Sequence, residues 1–519
     1  MAKPVSALLA LVVVSAVHPL LAGLNEPVKL AAGLVTGLTV GEVRVYKGVP
    51  FAAPPIGDLR WRPPQPVAPW EGVRACAEFG PWCPQPKSII GAPGGERQSE
   101  DCLYLNVWTA APTATAKLPV MVWIHGGGCT TGSGAAATYD GAVLARQGVV
   151  LVTLNYRLGP FGYLAHPLLS KESPHDVSGN YGMLDQIAAL QWVRDNIAAF
   201  GGDPGCVTVF GESAGALSLC RLMVSPLAKG LFQRAIAESG GAQGRNAHLR
   251  EPRNHLEPAE AVGVGIARTL GCDREPGVLL ALRAVSAERL LTASDPAQGL
   301  YGKGITFGPV VDGWAIPDDP DRLFAAGRQH DVPFLLGTTA DEGTLFLAQI
   351  PVRRVVGYES MIRSRFGTEA EEILRLFPCP DDASVKAAFS RLTTVTAFVA
   401  PARFLARCMA ACQSKAYLYH FTRVPPGAGL LGMGATHGSE IAYVFGNLRP
   451  LHGRVDRQLS AAMSAAWVRF ARSGDPNGAD LPTWPAYTSA GDQHLEFGDQ
   501  IRVGSGLHKE ACDLLDRLR

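Results

Sequence analysis

The sequence predicts an α/β protein built on a mostly parallel, twisted sheet with helices on both faces. Three observations predict it. Continuous apolar runs of strand length recur between about residues 118 and 240. Helical patterns separate them, one of them closed by Gly201-Gly202 as a C-terminal glycine cap would close it. Near the N-terminus the pattern changes to alternation of polar and apolar residues. Buried strands that alternate with helices argue for parallel pairing covered on both faces, and alternation argues for an antiparallel edge.

In chain order, Thr39–Val45 alternates and reads as an edge hairpin. Leu118–Ile124 and Val149–Leu154 are continuous apolar strands, and between residues 183 and 200 Leu184, Ile187, Ala188, Gln191-Trp192 and Ile197 fit an amphipathic helix. Cys206–Phe210 is the next strand, Ala216–Val224 a helix, and Ala235–Ser239, Val332–Leu336 and Ala416–Phe421 are further strands. Residues 245–300 and 350–410 read as helical with little sheet, as caps over the sheet would.

The chain has 519 residues, 47% of them hydrophobic and 18% charged, which suits a globular protein with a large core. Length alone would suggest several domains, but large single-sheet α/β proteins exceed that rule. One domain over residues 23–519 is expected. The net charge of +1 and the lack of a basic stripe argue against a nucleic-acid partner. Residues 1–22 begin with Met1-Ala2-Lys3, continue through an apolar run from Val5 to Val17, and end in small residues at Ala22-Gly23. That is the pattern of a secretory signal peptide, so a secreted or periplasmic location is expected. The run is too short for the ~20 residues a stable membrane span needs.

The chain carries eleven cysteines, so at least one is unpaired. Cys83 and Cys102 flank Pro84–Asp101, a loop without aromatic residues. A bridge across a loop of that size stabilises by roughly 3 kcal/mol. Cys206 and Cys220 lie in apolar runs and read as buried thiols, whereas Cys408 and Cys412 fall on one helical face as a packing feature. Without C-x-x-C or another ligand spacing, no metal site is predicted, and no cofactor.

The motif that carries chemistry is Gly211-Glu212-Ser213-Ala214-Gly215, placed between a strand and a helix. A serine in such a sharp turn projects its hydroxyl above the sheet, and the flanking glycines admit the close approach of neighbouring backbone. Ser213 is the expected nucleophile. His125-Gly126-Gly127-Gly128 follows another strand directly. Acyl transfer builds an oxyanion, and preset backbone N–H groups must receive it. Gly127, Gly128 and Ala214 are the expected donors, with His125 in a structural role. A serine hydroxyl needs a base. Of twelve histidines, His437 sits in a glycine-bearing loop after the Ala416–Phe421 strand, in the chain order nucleophile, acid, histidine. The acid hangs after the Val332–Leu336 strand, where Asp341 and Glu342 both qualify and the residues alone leave the choice open. Glu212 is a further acid beside the nucleophile, able to tune the site's electrostatics.

The sequence resembles the type-B carboxylesterase family, which includes cholinesterases, lipases and bacterial esterases. The resemblance rests on Tyr46–Ala52, Ser99–Asn106, His125–Gly128, Asn155–Gly159, Gly179–Gln186, Gly211–Gly215, Asp341–Gly343 and His437-Gly438, in that order across most of the chain. It implies the α/β-hydrolase fold and a serine carboxylic-ester hydrolase working through a Ser213–Glu342–His437 triad and an acyl-enzyme on a small-molecule ester. It implies that Cys102 pairs with an upstream cysteine, Cys83 rather than the rival Cys76. Three departures stand out. Pro84–Asp101 lacks the tryptophan that binds quaternary ammonium in cholinesterases, so choline specificity is not expected. Cys272 lacks a partner in Val278–Arg283, and Cys129 stands where many relatives have an aromatic residue. The family also contains adhesion proteins without the nucleophile, a reading that the complete set of motifs argues against. Amide, thioester or carbonate hydrolysis is the competing activity on the same machinery.

Overall fold

The computed structural model describes residues 26–87, 97–242, 246–253, 255–274, 276–350 and 352–518; residues 1–22, expected from their sequence to be a signal peptide, lie outside them. Its main sheet has eleven strands. In chain order these are β1 (Leu38–Val40), β2 (Val43–Pro50), β3 (Tyr104–Thr109), β4 (Leu118–Ile124), β5 (Val150–Leu154), β6 (Gly202–Glu212), β7 (Arg234–Glu238), β8 (Phe334–Thr339), β9 (Ala416–Phe421), β10 (Gln493–Phe497) and β11 (Ile501–Ser505). Across the sheet they run β11-β10-β9-β8-β7-β6-β4-β5-β3-β2-β1. From β5 to β10 every pairing is parallel. Both margins are antiparallel. The alternating N-terminal segment is the β1–β2 hairpin, turning at Gly41.

Five helices matter for the site: α1 (Tyr181–Asn196), α2 (Ala214–Leu222), α3 (Val385–Thr393), α4 (Ala400–Ala410) and α5 (Arg454–Ser473). The period of two along each strand sorts the core into two layers. Val120, Val122 and Ile124 join Val207, Val209, Ala235 and Leu336 on one face, beneath Met183, Leu190 and Val193 of α1, Leu219 of α2 and Leu405 of α4. Met121 and Trp123 join Phe210, Ile236, Leu335 and Tyr419 on the other, against Leu459, Met463 and Trp467 of α5. Trp123 is fully buried and meets Phe210 and Phe445 edge to face at 4.8 and 5.0 Å. Truncating such a residue to alanine costs about 3–5 kcal/mol. Helices of the 350–410 region gather around a separate apolar cluster that includes Tyr358, Ile362, Ile373, Phe389, Val395 and Val399.

Most boundaries differ from the sequence expectation by a few residues, and two of the differences have a clear physical reason. The strand expected over 332–336 is Phe334–Thr339, because Pro333 has no N–H to give the ladder while pairing with β9 runs on from Phe334 to Thr339. The helix expected over 183–200 keeps α geometry to Asn196, tightens to a 3₁₀ turn over Ile197–Phe200, and stops at Gly201 with φ 81°. Cys220 is buried as expected, but Cys206 is partly exposed where β6 begins. The expected Cys83–Cys102 bridge is not formed in this structure: both are buried free thiols. They touch, and the contact with Cys83, reinforced by burial, pushes the Cys102 thiol well above its ordinary range.

Candidate active site

The sequence-predicted site residues come together at the C-terminal ends of the parallel strands, where open α/β sheets bind ligands. β4 leads into the His125–Gly128 loop, β6 into Ser213, β8 into Glu342, and the chain after β9 returns to His437.

Ser213 has φ 55° and ψ −120°, a conformation that side-chain-bearing residues rarely adopt. It is held there by an N–H bond to the Glu238 carbonyl (2.9 Å) and by the Leu217 N–H on its own carbonyl (2.9 Å). The flanking glycines have the packing reason that the motif suggested. A Cβ on Gly215 would lie 1.9 Å from the Ile124 carbonyl oxygen, and one on Gly211 would lie 2.8 Å from the Gly215 carbonyl carbon. α2 begins immediately after, so its first N–H groups and positive dipole end face the hydroxyl.

The glycine loop lies against this turn, since a Cβ on Gly126 would come within 3.1 Å of Ser213 Cβ. Gly127 and Gly128 are exposed and have φ 104° and 64°. The Gly127 carbonyl is turned inward, accepting from the N–H groups of Thr130 and Thr131 at 3.1 and 3.0 Å. Among the described residues, the N–H groups of Gly127, Gly128 and Ala214 donate to no other part of the protein. His125 is buried, stacked on Tyr156 at 4.5 Å, with Nδ1 2.8 Å from the Gly126 carbonyl. Burial lowers its imidazole to about 4, which keeps it neutral. Cys129 is buried behind the glycines with φ 59°, its thiol against the Tyr163 hydroxyl.

His437 lies between two carboxylates. Its Nδ1 is 2.5 Å from Glu342 Oε2, and its Nε2 is 3.1 Å from Glu212 Oε1. Glu342 is fully buried, and its other oxygen accepts the Thr339 N–H at 2.8 Å. Of the two acids that the residues alone left open, Glu342, the one the resemblance implies, is the one in contact with His437. Asp341 points elsewhere: its Oδ2 accepts the Ala435 N–H at 2.8 Å and ties down the His437 loop. Burial alone would depress His437, but the pull of Glu212 and Glu342 outweighs it and lifts the imidazole to about 9. Glu212 is itself raised to about 7, by burial first and by Glu342 in addition, against the pull of His437.

Sequence reasoning missed four buried side chains here. Glu238 sits beside Glu212 on the adjacent strand and accepts from Trp467 Nε1 at 2.7 Å; burial lifts its carboxyl to about 8. Glu440, three residues after His437, accepts from Ser239 Oγ at 3.0 Å and is raised well above its usual range by burial and by neighbouring carboxylates. Phe346 and Phe398 place their rings 5.4 and 4.8 Å from the His437 imidazole. The histidine-glycine-serine-glutamate run around Glu440 was visible in the sequence; the others depend on tertiary approach.

A model of the carboxylesterase family matches residues 25–515. The chain belongs to the carboxylesterase family. Among curated relatives it is 42% identical to a fumonisin B1 esterase of Sphingopyxis macrogoltabida, over 92% of this chain and 87% of the relative. It is 38% identical to a para-nitrobenzyl esterase of Bacillus subtilis, over 91% and 94% of the two chains. It is 34% identical to carboxylesterase 1D of Rattus norvegicus, over 92% and 89%. A solved PNB esterase superimposes with a TM-score of 0.80 at 36% identity, covering 94% of this chain and 99% of that one. The esterase therefore has the α/β-hydrolase fold and hydrolyses carboxylic esters. Among its described residues no helix is long and apolar enough to cross a membrane.

Proposed function

We propose that this esterase works through an acyl-enzyme on Ser213, with His437 as general base and Glu342 as the carboxylate that orients it. The observation that carries the reading is the 2.5 Å contact of Glu342 Oε2 with His437 Nδ1, which leaves Nε2, 3.1 Å from the carboxylate of Glu212 next to Ser213 in the chain, as the nitrogen to take the serine proton. His437 takes the hydroxyl proton as Ser213 attacks the ester carbonyl, and the N–H groups of Gly127, Gly128 and Ala214 receive the oxyanion. His437 returns the proton to the leaving alcohol; water, activated by the same ring, then releases the acid. In the resting enzyme Nε2 is occupied by Glu212 at 3.1 Å, so the imidazole exchanges that contact for the serine hydroxyl on entering turnover.

Hydrolysis of p-nitrophenyl esters from acetate to palmitate tests the reading, with wild type and Ser213→Ala in parallel. Loss of turnover by roughly 10⁶ in Ser213→Ala is expected, as for other triads. Substantial activity in the variant would sink the assignment. The chain-length profile distinguishes a short-chain esterase from a lipase.

The N-terminal pattern of residues 1–22 supports export, with residues 23–519 as one hydrolase domain. N-terminal sequencing of the mature protein from periplasm or medium tests it. In an oxidising compartment the apposed Cys83 and Cys102 thiols would close into the bridge that the family resemblance implies, which non-reducing mass measurement would register.

A further inference from the structure

We propose that Phe398, delivered by a π-helical turn, is a positioning residue for His437: its ring holds the imidazole against Glu342 and stabilises the cation that forms on it during turnover. The proposal rests on the triad reading above and goes beyond it to an aromatic clamp.

Between α3 and α4 the chain stays helical but widens over Thr394–Val399, where the Ala400 N–H bonds to the Val395 carbonyl, five residues back. Such turns are rare and tend to mark functional sites. One extra residue rotates all that follows by about 100° relative to a regular α-helix. Here the wide turn touches both ends of the proposed acid–base pair. At its start, Thr394 Oγ1 accepts the N–H of Gly343 at 3.0 Å, next to Glu342. α3 approaches that turn so closely that a Cβ on Gly343 would lie 2.3 Å from the Ser390 carbonyl oxygen. Towards its end, Phe398 sets its ring 4.8 Å from the His437 imidazole at 51°. Phe346, one turn beyond Glu342, stands 5.4 Å from the same ring at 49°. The two phenyl rings are nearly parallel, 12° apart in plane and 6.3 Å between centroids.

Ordinary core packing accounts for Val395 and Val399, which point into the apolar cluster of the 350–410 helices. It does not account for Phe398 and Phe346. Both are buried, at 5% and 4% exposure, yet neither belongs to any apolar cluster among the described residues. Aromatic faces are electronegative and attract a cation within about 6 Å of the centroid. The imidazole they face is also faced by the carboxylates of Glu342, Glu212 and Glu440. The carboxylates supply charge, whereas the rings fix the ring plane and exclude water.

The test uses the full-length enzyme and p-nitrophenyl acetate, comparing wild type, Phe398→Leu, Phe398→Tyr and Phe346→Leu, with Ser213→Ala as the blank and thermal melting as the fold control. Phe398→Leu keeps apolar bulk and loses the π face. It is expected to lower kcat about 10- to 100-fold with KM nearly unchanged, the scale of a misplaced catalytic group. The acid limb of the pH profile is expected to move down by roughly half a unit, as the imidazolium loses its aromatic support. Phe398→Tyr should restore both, and Phe346→Leu should move the limb the same way. A folded Phe398→Leu with wild-type kcat and an unmoved limb overturns the proposal, as does a Tyr variant no better than Leu. If Phe398→Leu does not fold, an unmoved limb in Phe346→Leu overturns it instead. Activity surviving in Ser213→Ala would indict the triad reading; an inactive Ser213→Ala beside an indifferent Phe398→Leu would indict the clamp alone.

Discussion

Glu212 Oε1 lies 3.1 Å from Nε2 of His437, on the opposite nitrogen from Glu342. The imidazole thus rests between two carboxylates, and its proton affinity reflects both. In the proposed mechanism the imidazole must be neutral to accept the serine proton, so activity is expected to rise with pH through its titration, which the carboxylates lift to about 9. Glu212→Gln removes one of the charges that raise it. The acid limb of kcat/KM for the variant should therefore lie at lower pH than that of wild type. A limb that stays put in a titration series would show that Glu212 does not act on the imidazole.

Adjacent acids should separate sharply. Glu342→Gln replaces the acceptor on Nδ1 and should cost about 10⁴ in kcat by favouring the wrong tautomer. Asp341→Asn keeps an oxygen for the Ala435 N–H and should stay within about tenfold of wild type. Steady-state kinetics on the two purified variants decides; equal losses would refute the division of labour.

Gly215→Ala should be poorly tolerated, because its methyl group would press on the Ile124 carbonyl at 1.9 Å, and neither backbone can yield without moving the Ser213 turn. Gly265→Ala is the control: it lies within the helix Ala259–Thr269 and nothing stands within 4 Å of the new methyl group. Helix propensity predicts a gain of about 1 kcal/mol there. Melting temperatures of the two variants should move in opposite directions.

Glu238 predicts a pH-dependent stability. Unfolded, a glutamate titrates near ~4.3; folded, burial holds this one at about 8. Between those values the unfolded chain binds fewer protons than the folded one, so this residue's contribution to stability falls as pH rises. Glu238→Gln keeps an oxygen for Trp467 Nε1 and removes the proton. It should melt a few degrees above wild type at pH 8, with the gap closing towards pH 4. A constant gap across that range would mean that the carboxyl is not protonated in the fold.

The parts of this molecule legible in its sequence are those fixed by local rules. Ser213 declared itself because a strained turn between strand and helix demands small neighbours on both sides, and Gly211 and Gly215 supply them. The buried strands declared themselves because both faces of a parallel sheet are covered, so β4 and β5 read as unbroken apolar runs. What stayed hidden depends on approach in three dimensions. Asp341 and Glu342 are chemically alike, and only the course of the backbone after Thr339 directs one at His437 and the other at Ala435. Phe398 looks like any apolar residue in a helix, because an extra residue in a turn leaves no mark in a hydrophobic pattern. The Cys83 and Cys102 thiols were expected to be joined, and the fold brings them into contact without joining them.

The backbone of Ser213, at φ 55° and ψ −120°, has a consequence for the lineage as well as the molecule. Holding a side chain in that region costs on the order of 1–3 kcal/mol, which glycine would not incur. Ser213→Gly should therefore make the fold hardier while abolishing turnover. Natural selection for hydrolysis must keep working against that downhill step. A descendant relieved of the need to cleave esters would drift towards a sturdier, inert scaffold, losing its chemistry at a position where the loss brings a gain in stability.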